Sequence, residues 1–132
     1  MDKRDVVIIT GSSGFIGSSL IKKLASHYAL VGFDKMALPV PPPEAECVCI
    51  DLTSETAVKR AFERVRIAYG NRIASVIHLA AYYDLTGEPN PLYEKITVQG
   101  TNLLLTALFF TMLRFFLDFM NIIKRIKWRT NG

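Results

Sequence analysis

Val6-Val7-Ile8-Ile9-Thr10-Gly11-Ser12-Ser13-Gly14-Phe15-Ile16-Gly17 is the stretch that decides the fold of this 132-residue chain. Val6 to Thr10 is a β-branched run without polar alternation, the pattern of a central parallel strand covered on both faces. Three glycines follow at once, and from Phe15 the apolar Ile16, Leu20, Ile21, Leu24 and Ala25 recur at helical spacing to about His27, with Lys22 and Lys23 turned outward. A strand that runs through a glycine turn into a helix leaves unpaired N–H groups and the positive end of the helix dipole facing an anion. In that arrangement Gly11 permits the tight turn, Gly14 lets backbone approach a pyrophosphate, and Gly17 lets the helix lie close to the strand.

Outward from this unit, Tyr28 to Phe33 reads as a second strand ending at Asp34, and Glu46 to Ile50 as a third ending at Asp51. Pro39, Pro41, Pro42 and Pro43 between them mark a loop, since proline neither donates to a ladder nor continues a helix. Thr53 or Ser54 caps a helix whose face Val58, Ala61, Phe62, Val65 and Tyr69 is apolar, and Gly70 and Asn71 stop it. Ile73 to Ala80 is a fourth strand, Tyr82 to Pro91 a surface loop, and from Tyr93 a long helical pattern begins. Short strands alternating with helices predict an α/β fold, a Rossmann-type parallel sheet with helices on both faces. Right-handed crossovers give strand order 3-2-1-4, an incomplete version of the doubly wound sheet. The expected organisation is a nucleotide-binding half over residues 1–107 and a divergent helix over 108–132.

Asp34, about twenty residues beyond the glycines at the end of the second strand, stands where a carboxylate accepts hydrogen bonds from the ribose hydroxyls of a dinucleotide. A carboxylate there repels a 2′-phosphate, so NAD is expected over NADP, with the adjacent cation Lys35 softening that preference. The expected phosphate-binding residues are Gly11, Ser12, Ser13, Gly14, Phe15, Ile16 and Gly17.

Thr10 to Gly17, with three-residue spacing between glycines, resembles the short-chain dehydrogenase/reductase superfamily, in particular its extended branch of NAD-dependent epimerases and dehydratases. The resemblance covers about residues 5 to 107 and implies further roles. Asp51-Leu52 is similar to the pair whose carboxylate meets the adenine amino group, and His78-Leu79-Ala80-Ala81 to the strand end that passes beneath the cofactor ribose. Val98 to Leu104 is similar to the helix behind the sheet. Thr97 departs from the asparagine usual there. The family's chemistry uses a tyrosine whose proton is tuned by a lysine four residues later. That motif is missing: Tyr28, Tyr69, Tyr82, Tyr83 and Tyr93 are followed four positions on by Gly32, Ile73, Thr86, Gly87 and Thr97. No catalytic residue is therefore assigned. The sequence reads as the NAD-binding N-terminal portion of an oxidoreductase that does not turn over alone. The alternative is a non-catalytic dinucleotide-binding or interaction module, a reading that extends to membrane association through the C-terminal helix; the sequence does not name a substrate.

Beyond Ala107 a dense apolar run carries Thr111, Arg114, Asp118, Asn121 and Arg125 as one narrow polar stripe. Burying Arg114 and Asp118 at the centre of a bilayer costs roughly 2.5 to 3.5 kcal/mol each, so a helix packed on the sheet or on a partner is expected rather than one that spans. Residues 103–123 are the expected surface for self-association or a partner. The net charge of +4 resides wholly in Lys124, Arg125, Lys127 and Arg129, because residues 1–123 are balanced; a balanced body argues against nucleic acid. Cys47 and Cys49 point to one face of a strand and lack further soft ligands, so they are expected as buried free thiols and not a disulfide or metal site. With only Val6 to Ile9 apolar near the start, no secretory signal is read and the cytoplasm is the expected location.

Overall fold

The computed structural model describes residues 3–36 and 42–130, with side-chain environments as far as Arg125. Four parallel strands form one sheet in the order β3-β2-β1-β4, as expected: β1 (Val6–Thr10), β2 (Ala29–Asp34), β3 (Ala45–Cys49) and β4 (Ile73–His78). Every residue of β1 is buried, as its unbroken apolar run requires. Its register sets Ile8 opposite Val31 on one side and opposite Val76 on the other, and the β1–β4 pairing shifts between Val6 and Val7.

Because side chains alternate across a strand, β1 feeds two cores. Val6 and Ile8, with Val31 and Phe33, pack against α2 (Glu55–Tyr69) and the first turns of α3 (Gly100–Thr130) through Val58, Phe62, Val65, Leu104 and Ala107. Val7, Ile9 and Leu30 face α1 (Phe15–Leu24) through Ile21. Phe33 and Phe62 meet edge to face at 5.7 Å, the preferred geometry for two ring quadrupoles. Ser54 caps α2 by accepting the Ala57 amide on its hydroxyl at 3.3 Å, which selects between the two expected caps.

Three details differ from the sequence reading. α1 ends at Leu24, where the His27 amide turns back to the Leu24 carbonyl instead of continuing the helix to His27. Tyr93–Gln99 is a π-helical stretch whose widened turn brings the Gly100 amide to the Lys95 carbonyl, and α3 continues from it through residue 107 without a break. Cys47 and Cys49 are free but exposed, not buried. The physical reason is position: β3 is an edge strand, paired on one side only, with β2. The expected proline loop falls partly on residues 37–41, outside the described residues; Pro42 and Pro43 lead into β3, the Pro42 carbonyl accepting the Ala45 amide.

Phe62 is almost fully buried at the junction of sheet, α2 and α3. Phe62→Ala is expected to lower the unfolding free energy by about 3–5 kcal/mol, read from urea denaturation. A loss under about 1 kcal/mol would show that this face is loosely packed.

Candidate dinucleotide-binding site

The carboxyl ends of all four strands open on one cleft of about 420 Å³. Its walls are Gly11, Ser13 and Gly14 after β1; Phe33, Asp34 and Lys35 at β2; Ile50 to Thr53 after β3; and Leu79 to Ala81 after β4, with Ile96 of the π-helical stretch. Ligands of open α/β sheets bind at such a place, where the strand order reverses.

The glycine turn is built by close approach. Gly11 has φ +66°, a left-handed conformation that side chains disfavour, and a Cβ there would come within 3.0 Å of the Leu79–Ala80 peptide. At Gly17 a Cβ would overlap the Gly11 carbonyl oxygen and come within 2.8 Å of Ser12 Cα, so the start of α1 can rest on the turn only without a side chain. No acidic residue lies in the first turn of α1 to oppose an anion at its positive end. Phe15 and Ile16 point into solvent, so any contribution they make to an anion is through backbone amides.

Asp34 shapes this turn from across the sheet. Its Oδ2 accepts the Ser13 amide at 2.9 Å and its Oδ1 accepts the Met36 amide at 3.4 Å. Asp51 is held differently. Its Oδ1 accepts both the Thr53 hydroxyl (2.7 Å) and the Thr53 amide (2.9 Å), and these bonds hold its pKa below the ordinary carboxylate value, aided by Lys35 and Lys95 against a small opposing effect of burial. The second oxygen remains for a ligand.

His78 is on the page as a tie and not as a cleft wall. Thr10 Oγ1 accepts the amides of Leu79 (3.0 Å) and Ala80 (3.1 Å), so its own proton goes to His78 Nδ1 at 2.6 Å. His78 Nε2 then carries the imidazole proton and donates to Thr101 Oγ1 at 2.9 Å, and the Thr101 hydroxyl donates to the Thr97 carbonyl. The Thr97 hydroxyl in turn accepts the Tyr82 amide at 3.0 Å, tying the start of the loop after β4 to the π-helical stretch. The chain of bonds fixes a neutral ring, and burial lowers the His78 pKa in the same direction.

The expected site residues Gly11, Ser13, Gly14, Asp34, Lys35, Asp51, Leu52, Leu79, Ala80 and Ala81 are thus brought together around the cleft. Ser12, Phe15, Ile16, Gly17 and His78 shape it from behind or lie outside it. Sequence reasoning missed Gly32, where a Cβ would come within 2.5 Å of Ser12 Oγ; a glycine inside an apolar strand was the available signal. It also missed Thr10 as the hydroxyl that gathers the β4 end. The loop after β4 is tied down: Tyr93 Oη donates to the Asp84 carbonyl and accepts the Asp84 amide, while Tyr82 and Tyr93 meet edge to face at 4.9 Å. Among the described residues no group of His, Cys, Asp and Glu is arranged to hold a metal ion.

The sequence model of the NAD dependent epimerase/dehydratase family matches residues 7–117. The chain belongs to that family. It is 32% identical over 112 residues to the decarboxylating sterol-4-alpha-carboxylate 3-dehydrogenase of Candida albicans, a match covering 76% of this chain and 30% of that protein. It is similar to the Thermus thermophilus UDP-glucose 4-epimerase in complex with NAD, with 28% identity, TM-score 0.65, and coverage of 77% of this chain and 33% of the other. The Thermoplasma acidophilum aldohexose dehydrogenase, at TM-score 0.70 and 18% identity over 85% of this chain and 46% of the other, shares the fold. The chain spans about a third of the length of the first two relatives.

The His78 tie makes stability depend on pH. An unfolded histidine titrates near 6.5 and the folded ring below it, so the unfolded chain binds more protons between the two values. The tie's contribution is retained above 6.5 and lost progressively as pH falls from there through the lower folded value. The melting temperature is expected to fall between about pH 7.5 and pH 5.5, and His78→Gln to flatten that slope. Equal slopes would place its origin elsewhere.

Proposed function

We propose that this chain is the NAD-holding portion of an epimerase-, dehydratase- or dehydrogenase-type oxidoreductase, and that residues 1–132 do not turn over substrate unaided. The observation that carries this reading is the junction of Asp34 with the glycine turn: the carboxylate orders the Ser13 amide while lining the cleft that Gly11 and Gly14 open. The residues fit the cofactor. The volume suits a bound small molecule, and a side chain at Gly11 or Gly17 would collide with the turn that presents the amides.

In this reading the turn and the first amides of α1 hold the pyrophosphate, Asp34 accepts the ribose hydroxyls, and Asp51 accepts the adenine amino group. Leu52, Leu79, Ala80 and Ala81 supply apolar walls and His78 holds the β4 end in place beneath the ribose. NAD, when bound, supplies hydride acceptance and return. Asp34 supports NAD over NADP because a 2′-phosphate would meet its charge, with Lys35 as the nearest partial offset. The missing tyrosine-lysine pair supports the lack of turnover. The free exposed thiols suit a reducing cytoplasm.

Calorimetry is expected to show NAD binding more tightly than NADP. Asp34→Ala should weaken NAD by about ten- to a hundredfold, the range for hydrogen bonds to a charged group, and narrow the preference over NADP. NAD should stay unreduced in the presence of alcohols and nucleotide sugars. Well-folded protein that takes up no NAD, or an Asp34→Ala variant with unchanged affinity, would overturn the reading.

A further inference from the structure

We infer that the distal half of α3 is an interfacial membrane anchor that seats the protein on an anionic bilayer. At 100° per residue, Ala107, Thr111, Arg114, Asp118 and Asn121 share one face of about 80°. That face is turned to the protein body: Ala107 and Thr111 are buried, and Arg114 lies 3.9 Å from Glu63 of α2. The hydrogen bonds that Arg66 of α2 donates to Glu63 raise the Arg66 pKa, and Asp118 adds a smaller effect in the same direction.

The two charges that oppose a membrane location are therefore directed to α2. The apolar residues from Phe109 to Ile123 occupy about 240° of the remaining arc and are largely open to solvent, with Phe116 and Phe119 each 58% exposed. The segment Tyr93–Arg125 is long and apolar enough to cross a membrane by length and composition, and only 11% of its most apolar window is buried.

Charge selects the occupant. The chain's whole positive excess, Lys124, Arg125, Lys127 and Arg129, follows directly on this apolar segment. Cations at the end of an apolar helix match anionic headgroups above an acyl layer. A second copy packed in parallel would set those cations against their equivalents. Although the whole segment is long enough to cross, its first turns are packed on the protein body, and the exposed apolar part from Phe109 to Ile123 measures about 22 Å, short of the roughly 30 Å hydrocarbon core, so the helix lies in the interface and does not cross. The inference is independent of NAD binding, whose cleft lies at the strand ends.

The test is co-sedimentation of the full chain with vesicles of phosphatidylcholine alone or mixed with phosphatidylglycerol. Binding is expected to be at least about tenfold tighter to the mixture and to weaken with salt. The double variant Phe116→Glu, Phe119→Glu should abolish binding while keeping the wild-type circular dichroism. Lys124→Glu with Arg125→Glu should remove the anionic preference and keep the residual apolar binding. Absence of sedimentation, sedimentation unchanged by the phenylalanine variants, or a defined dimer by light scattering that vesicles do not dissociate would each overturn the proposal.

Discussion

The start of α1 rests on the carbonyl of Gly11, and that approach is open only to a residue without a side chain at Gly17. Much else follows from it. With α1 seated this low, Ile21 reaches Val7, Ile9 and Leu30 and closes one face of the sheet. The same seating presses Ser12 down beneath Gly32, which is why a second glycine is needed in the middle of β2. The amides at the helix start are thereby fixed relative to the strand ends, and a single cleft forms where four strands finish.

A second constraint operates from the other wall of that cleft. Thr10, the last residue of β1, gathers the two amides that follow β4 and passes its proton to His78. His78 passes the tie on to Thr101 in α3 and, through it, to the π-helical stretch. Sheet, loop and helix are thus held by one line of hydrogen bonds in which each hydroxyl uses both its proton and a lone pair. The imidazole is a structural member of this line, held neutral by bonds at both nitrogens.

The strand order and the two-faced covering were legible because they depend on local signals: unbroken β-branched runs, glycines at a strand end, and the handedness of crossovers. The cleft residues Gly11, Gly14 and Asp34 were legible for the same reason, whereas Asp51 entered only through the family resemblance. What escaped were properties set between elements. Cys47 and Cys49 sit in an apolar run that reads as buried, and their exposure follows from β3 lying at the edge of the sheet, paired only with β2. The role of Thr10 depends on β4 residues about seventy positions away, and the π-helical turn at Tyr93–Gln99 keeps a helical pattern in sequence while altering its hydrogen bonds. Sequence periodicity showed the polar stripe on α3; only the packing showed that it faces α2.

The bond from the Ser13 amide to Asp34 places loop order on the same carboxylate to which the ribose contact is assigned in the proposed function. A lineage drifting toward a phosphorylated cofactor would lose an anchor of its own turn at the step that removed the repulsion. Such a change would first require another acceptor for that amide. In evolutionary terms the position is epistatic: under the proposed role, the architecture of the loop would protect cofactor preference as much as selection on the ligand.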